Sequence, residues 1–160
     1  MPFSSLLPVR HAVSSVSKTT RGLLAVLSFW ACATAAQAGG LSLSGTWVRW
    51  LPGDLPLGGY FELHNDTGHS VQLTAAKAPD FARAMLHNSV EENGTERMVH
   101  VDSVTVKPGA TLKFAPGGYH IMLMHRVHPV HPGDRLPITL VFDGGEQISA
   151  DFAVRGADGN

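Results

Sequence analysis

The spacing of turn-forming residues is the feature that most constrains this chain. Glycine and proline recur throughout the sequence after residue 38, in turn signals such as "NDTG", "KPGA", "APGG" and "HPGD". Short apolar runs lie between these signals, and no segment has a long helical period. This pattern is typical of an all-β sandwich or barrel. It predicts strands at 41–50, 59–64, 70–76, 83–90, 97–106, 111–114, 119–125, 136–142 and 147–154.

Residues 1–38 have the features of a secretory signal peptide. They contain three basic residues and no acidic one, and an apolar run ends in Ala36-Gln37-Ala38. A small-x-small tripeptide after such a run is a signal peptidase site. The run from Leu23 to Ala36 is shorter than the roughly 20 apolar residues that span a bilayer. We therefore expect export, cleavage after Ala38, one mature domain at 39–160 and no stable membrane anchor.

Charge and cysteine content restrict the function of residues 39–160. This part of the chain has nine Lys and Arg against 13 Asp and Glu. An acidic balance argues against nucleic acid or an anionic membrane as the main partner. The only cysteine, Cys32, would leave with the signal peptide, so the mature domain would have no disulfide and no thiolate ligand. Attachment of lipid to Cys32 is not favoured, because Phe29 and Trp30 are bulky. Catalytic motifs such as a Gly-x-Ser-x-Gly elbow or HExxH are absent from the sequence, so we expect no enzyme.

The dipeptide Asn93-Gly94 predicts a hairpin with a defined register. A type I′ turn requires positive φ at both central residues, and Asn-Gly is its strongest short signal. With this turn, His87 faces His100 and Ser89 faces Met98. Met98 is then a diagonal neighbour of His87 on the same face of the hairpin.

Alternation along 119–125 separates the residues expected in the core from a histidine and two methionines. Tyr119, Ile121 and Leu123 share one face, and His120, Met122 and Met124 share the other. Because the aliphatic face is expected to form the core, the opposite faces of the two segments are expected to come together at a rim or surface. The residues predicted to meet there are His87, Met98, His120 and Met122.

Two imidazoles and two thioethers form a soft, neutral set of ligands. Thioethers bind Cu(I) well and hard cations poorly. A zinc site more often includes cysteine or a carboxylate, and a blue-copper centre requires a thiolate. The alternative is that these methionines fill gaps in packing and that the histidines are merely solvated.

The spacing of these four residues resembles a known family signature. His87, ten residues, Met98, 21 residues and His120-x-Met122 match the H-x10-M-x21-H-x-M pattern of the periplasmic copper chaperones called PCu(A)C. Further similarity lies in "TWVRW" at 46–50, "GGYFELHN" at 58–65, "VKPGATLKFAPGGYHIMLM" at 106–124 and "HPGDRLPITLVFDGG" at 131–145. The resemblance covers essentially all of residues 39–160.

The resemblance implies a fold, a ligand and a role. The fold would be a cupredoxin-like Greek-key β-barrel or sandwich. His87, Met98, His120 and Met122 would bind one Cu(I) per monomer. The protein would carry copper in the periplasm to an acceptor protein, either an oxidase subunit or an assembly chaperone, toward the copper centres of cytochrome c oxidase.

Some features depart from the family pattern or leave alternatives open. His125 stands where the family usually has glycine, and the chain lacks a His/Met-rich C-terminal tail. His100 is a candidate to tune His87 or to bind Cu(II), although a solvated role is favoured. Met124 is expected to pack beside the site, and His128 and His131 are expected to lie in a turn. A cupredoxin-like electron carrier and a metal-free β-sandwich interaction module remain the alternative functions.

Overall fold

The computed structural model of this chain describes residues 37–38 and 40–160. Eleven strands make up nearly all of its regular structure. They are β1 (Gln37–Ala38), β2 (Leu41–Arg49), β3 (Leu57–Asn65), β4 (Val71–Lys77), β5 (Phe81–Glu92), β6 (Thr95–His100), β7 (Val104–Val106), β8 (Thr111–Phe114), β9 (Tyr119–Arg126), β10 (Arg135–Phe142) and β11 (Gln147–Arg155). A short 3₁₀ turn covers Asp143–Gly145. Within the described ranges, no helix is long and apolar enough to cross a membrane. The predicted signal peptide and Cys32 fall outside the described residues, apart from Gln37–Ala38.

The all-β prediction is confirmed, but the prediction of one continuous strand at 97–106 is wrong. The segment predicted as a single strand at 97–106 forms two strands, β6 and β7. The first of them, β6, pairs with β5, whereas β7 pairs with β4. The residues between, Val101 to Ser103, therefore connect two different parts of the sheet. An apolar and β-branched run does not reveal such a change of partner.

The strands form one sheet in the order β6-β5-β9-β3-β2-β11-β10-β4-β7. The additional strands β1 and β8 pair with β2 and β3. All pairs are antiparallel except β11 with β2, which is parallel. This order places β5 directly beside β9, although the hairpin β5–β6 and the strand β9 are separated by two further strands in the sequence.

The core is built from the aliphatic and aromatic faces of these strands. Phe61 of β3 stacks on Phe114 of β8 with ring centroids 4.3 Å apart, and Phe152 of β11 meets Phe61 edge-on at 5.9 Å. Ile121 and Leu123 of β9 are also fully buried, as alternation predicts. Each such side chain stabilises the fold by about 1.5–3 kcal/mol relative to an exposed position. The same alternation directs His120 and Met122 to the other face of β9.

Asn65, at the end of β3, is a fully buried polar residue. Its Nδ2 donates to the carbonyl oxygens of His69 (2.8 Å) and Val106 (2.9 Å). Its Oδ1 accepts from the backbone N–H of Thr67 at 3.0 Å and from the Thr67 hydroxyl at 2.7 Å. Because every polar atom of the amide has a partner, this buried group joins the β3–β4 turn to β7 without an unsatisfied donor or acceptor.

Candidate metal site

Two rows of side chains cross the sheet on the face opposite the core residues of β9. The first row follows the register Arg49–Gly58–Met122–Met85 across β2, β3, β9 and β5. Directly paired positions have Cβ atoms about 4.5–5.5 Å apart. Met122 therefore lies between a glycine on one side and a second thioether, that of Met85, on the other.

The second row is a line of five rings. Trp47 and Tyr60 have centroids 4.7 Å apart, and Tyr60 lies 6.5 Å from His120. His120 pairs with His87, and His87 pairs with His100. The His120–His87 and His87–His100 centroid distances are 5.8 and 5.7 Å. The central strand β9 thus brings His120 to the side of His87, which no local pattern in the sequence specifies.

The hairpin register predicted from Asn93-Gly94 is confirmed. Both turn residues have positive φ, 54° and 75°. Ser89 pairs with Met98, so Met98 lies diagonally across from His87. Three of the four predicted ligands, Met98, His120 and Met122, line one cleft, and His87 adjoins it through its contact with His120.

The four residues differ in exposure. The side chain of Met98 is on the edge strand β6 and is 58% exposed, whereas His120 is only 5% exposed. The expectation that all four lie at a rim or surface is therefore wrong for His120. The reason is that β9 lies inside the sheet, between β5 and β3, with Tyr60 packed beside the imidazole.

The hydrogen-bond partners of the ring nitrogens show whether the two imidazoles are suited to bind a copper ion. His120 Nδ1 donates to the carbonyl oxygen of Gly118 at 3.0 Å. This assigns the proton to Nδ1 and leaves a lone pair on Nε2. His120 Nε2 and His87 Nδ1 are both buried and have no hydrogen-bond partner. Unpartnered buried nitrogens are rare, and two of them on neighbouring strands beside two thioethers fit a soft metal ion.

Sequence comparisons relate this chain to a family described by the word lipoprotein. Residues 41–154 match the family described as "Putative lipoprotein LpqE-like". The chain belongs to the LpqE-like family. It is 30% identical over 124 residues to "Putative lipoprotein Lxx21020" from Leifsonia xyli subsp. xyli, covering 77% of this chain and 74% of that protein. A protein of Rickettsia prowazekii, RP573, is 30% identical over 89 residues, which cover 55% of this chain and 49% of RP573.

Solved structures with the same fold are PCuAC domains. The copper-bound PCuAC domain of PmoF2 has a TM-score of 0.63 at 23% identity, over 77% of this chain and 99% of that domain. The apo domain of PmoF1 has a TM-score of 0.63 at 25% identity, over 75% and 97%. The CuI form of DR1885 from Deinococcus radiodurans has a TM-score of 0.58 at 25% identity, over 78% and 83%. The resemblance to the PCu(A)C family and the cupredoxin-like fold predicted from it are thus confirmed.

In this LpqE-like protein the environment lowers the pKa of His87. Burial is the largest cause, and the neighbouring imidazoles of His120 and His100 add to it because they disfavour a further positive charge. The neutral imidazole, which is the form that binds metal, is therefore retained at neutral pH.

His100 is the third imidazole of the row and is more exposed than His87 and His120. Its Nε2 lies 3.3 Å from Asp102 Oδ1. Its predicted position opposite His87 is confirmed. Among residues 40–160, however, no group of three or more His, Cys, Asp or Glu side chains is arranged to hold a metal. The arrangement thus gives no support to a His87–His100–His120 site without side-chain movement.

Three residues of this face were not singled out as site residues from the sequence. Met85 could have been identified, because it precedes His87 by two positions and alternation places both on one face. Arg49 and Tyr60 could not, although they lie in the segments "TWVRW" and "GGYFELHN". They reach the cleft because β3 pairs with β9 and β2 pairs with β3, and such long-range pairing has no local signal.

Tyr60 occupies space that Gly58 leaves open. A Cβ atom at Gly58 would lie 2.6 Å from the Tyr60 hydroxyl oxygen and 2.9 Å from its Cζ. The phenol therefore lies over Gly58, next to Met122 in the register. Burial raises the pKa of Tyr60; the positive charge of Arg49 opposes this shift and the negative charge of Glu96 adds to it.

The remaining predicted bystanders lie outside this cluster or at its border. Met124 shares the face of Met122 and pairs with Arg83. His125 has a φ of 56°, which explains physically why glycine would suit this position. His128 and His131 lie in the segment between β9 and β10, as expected, and His131 approaches Asp134.

Proposed function

We propose that this protein is a non-enzymatic copper carrier that binds one Cu(I) ion per monomer through His87, Met98, His120 and Met122. The observation that carries the proposal is the pair of buried, unpartnered nitrogens, His87 Nδ1 and His120 Nε2. They belong to directly paired residues of β5 and β9. The thioethers of Met98 and Met122 line the adjoining cleft.

The donor set favours the reduced ion. Four neutral ligands leave Cu(I) with its single positive charge, and thioether sulfur prefers this soft ion over Cu(II), magnesium or calcium. The hydrogen bond from His120 Nδ1 to Gly118 holds the imidazole in the tautomer that can bind through Nε2.

The difference in exposure supports a transfer function. His120 is buried, whereas Met98 is mostly exposed on an edge strand. A partner's ligand can therefore reach the ion from the side of Met98, replace that thioether first, and draw the ion away from the buried imidazoles. A resident structural metal would more often be enclosed on all sides.

The proposed route of copper begins with export and ends at an acceptor protein. Residues 1–38 supply the export signal, and the relative in Leifsonia xyli is named a lipoprotein. We propose that the mature protein acts in the periplasm and delivers copper to an oxidase subunit or to an assembly chaperone of the cytochrome c oxidase copper centres. The intact mass of the exported protein tests the processing step. A chain beginning at Gly39 supports cleavage after Ala38, and a lipid-modified chain beginning at Cys32 contradicts it.

Retention of Cu(I) against a competing chelator tests the binding function. The anaerobic protein should retain one equivalent, and His120→Ala or Met122→Ala should weaken the affinity at least tenfold because each removes a ligand. Met124→Ala is the matched control, since Met124 lies two residues from Met122 on the same face and should leave retention unchanged.

Two outcomes of this experiment would contradict the proposal. If the wild-type protein holds no stoichiometric Cu(I), a metal-free interaction module becomes the better interpretation. If Met124→Ala weakens retention as much as Met122→Ala, the set of ligands is wrong. An intense blue colour with Cu(II) would instead favour an electron-transfer cupredoxin.

A further inference from the structure

The cleft beside the proposed copper site contains an arginine that the copper chemistry does not use. The cleft has a volume of about 230 Å³. Most of its lining is apolar, and its charged side chains are Arg49 and Glu96. Neither forms an ion pair with another residue of the described chain. A cationic group in a mostly apolar cleft is suited to bind an anion.

The guanidinium of Arg49 is held in place but not fully hydrogen-bonded. Its Cζ lies 5.6 Å from the centroid of the Tyr60 ring, a cation–π contact that stabilises the charge but accepts no conventional hydrogen bond. Arg49 Nε is buried and has no partner. The two Nη groups of Arg49 form no hydrogen bond with a residue of 40–160, so the guanidinium keeps N–H donors that a ligand oxygen can accept from.

Arg126 provides the contrast. Its Nε is also buried without a partner, but its Nη2 donates to the carbonyl oxygens of Leu51 at 2.7 Å and Leu55 at 3.0 Å. These bonds give Arg126 a structural role, since they fix the β2–β3 loop at one end of the same cleft. No comparable bond from Arg49 to a carbonyl or carboxylate oxygen is present in residues 40–160.

The register brings Arg49 close to the proposed copper ligands. Arg49 pairs with Gly58, and Gly58 pairs with Met122. Adjacent strands are about 4.8 Å apart, so the backbones of Arg49 and Met122 are roughly 10 Å apart across the sheet. The absence of a side chain at Gly58 leaves the space between them to the Tyr60 phenol and to any ligand.

We propose that Arg49 forms a carboxylate-binding subsite in the cleft beside the copper site. The ligand class is a small molecule bearing a carboxylate, such as an amino acid. The planar guanidinium matches a carboxylate, which can accept two parallel N–H bonds. The volume corresponds to about eight water molecules at roughly 30 Å³ each, which is enough for a group the size of an amino acid and below the range of drug-sized pockets.

Two features of the cleft tune this subsite. Glu96 repels an anion, so it should weaken a simple carboxylate and favour one that also carries an amino group. The ligand shares the cleft with Met98, His120 and Met122. The subsite is therefore placed to receive a carboxylate that arrives together with copper, and in this respect alone the inference depends on the proposed function.

An NMR titration of the ¹⁵N-labelled apo protein with acetate tests the inference. Acetate replaces chloride during the titration, so that the ionic strength stays constant. The Arg49 Nε–H and Gly58 amide signals should shift and saturate. Arg49→Gln should weaken binding at least tenfold, and Arg49→Lys, which keeps the charge but not the planar fork, at least threefold. Glu96→Gln should tighten acetate binding about twofold, because a nearby negative charge is removed. Arg135→Gln, an exposed arginine on β10, is the control and should change nothing.

A second arm separates the ligand types and the two proposals. Glycine should bind more tightly than acetate in the wild type, and Glu96→Gln should remove this advantage. The inference is overturned if acetate shifts no cleft signal beyond the chloride control, or if Arg49→Gln binds acetate as the wild type does. Such a result with Cu(I) retention intact would leave the copper proposal standing. Loss of Cu(I) retention with acetate binding intact would overturn the copper proposal and leave the carboxylate-binding subsite standing.

Discussion

At the residue scale, a buried ring nitrogen without a hydrogen-bond partner distinguishes His87 and His120 from the other histidines of residues 40–160. His64 Nδ1 lies 3.0 Å from the Thr111 hydroxyl, and His69 Nδ1 lies 3.2 Å from the Thr67 carbonyl oxygen. His87 Nδ1 and His120 Nε2 are instead buried without partners. The sequence placed His87 and His120 on faces away from the aliphatic residues, but it could not predict which nitrogen is free, since that depends on the Gly118 carbonyl.

The lowered pKa of His87 predicts a pH dependence of stability. Burial disfavours the imidazolium of His87 in the folded apo protein. Above the ordinary pKa of about 6.5 the imidazole is neutral in both the folded and the unfolded state, so it does not lower the free energy of unfolding. As pH falls below that value, the unfolded chain takes up the proton more readily, and the native state loses stability. We expect the free energy of unfolding to fall less between pH 7.5 and 5.5 in His87→Gln than in the wild type. Denaturant titrations at both pH values measure this, and an equal fall in the two proteins would contradict it.

Asn65 provides a second prediction at this scale. Asn65→Asp replaces two amide donors with an acceptor that faces the carbonyl oxygens of His69 and Val106. Because the site is fully buried, the change should lower the free energy of unfolding by about 3 kcal/mol or more. Thr67→Val removes only the hydroxyl of this network and should cost about 1 kcal/mol. Chemical denaturation measures both losses. If Asn65→Asp and Thr67→Val lower the free energy of unfolding equally, the Asn65 amide is not the centre of the network.

At the scale of elements, local signals predicted the strands and one hairpin, and non-local pairing determined the rest. Asn93-Gly94 specified the β5–β6 register because its turn type allows little choice. The break between β6 and β7 was missed because both halves of 97–106 suit a strand. The pairing of β3 with β9 brings Tyr60 and Arg49 to the cleft. Sequence periodicity does not predict which strands pair, so this contact could not be predicted.

Gly58 tests the importance of this β3–β9 contact. A Cβ atom at this position would overlap the Tyr60 phenol, so Gly58→Ala must displace a ring that is packed between Trp47 and His120. We expect a loss of about 1–3 kcal/mol in the free energy of unfolding, together with weaker Cu(I) retention. Gly118→Ala is the matched control, because its Cβ would meet only the Ala115 carbonyl oxygen at 3.7 Å. A stable Gly58→Ala protein with unchanged retention would contradict this role of the glycine.

At the scale of the whole molecule, the sheet order explains how the proposed copper site is assembled from distant parts of the chain. The edge hairpin supplies Met98 and His87, the interior strand β9 supplies His120 and Met122, and β2 and β3 supply the opposite wall of the cleft. The H-x10-M-x21-H-x-M spacing indicated the four proposed ligands before any of this geometry was known, because such spacing is specific. It carried no information about the depth of His120 or about the arginine beside the site.

X-ray absorption at the copper edge of the anaerobic Cu(I)-loaded protein tests the central claim most directly. The two imidazoles and two thioethers predict a spectrum fitted by two nitrogen and two sulfur donors around one copper ion per chain. A first shell without sulfur scattering would contradict the proposed site.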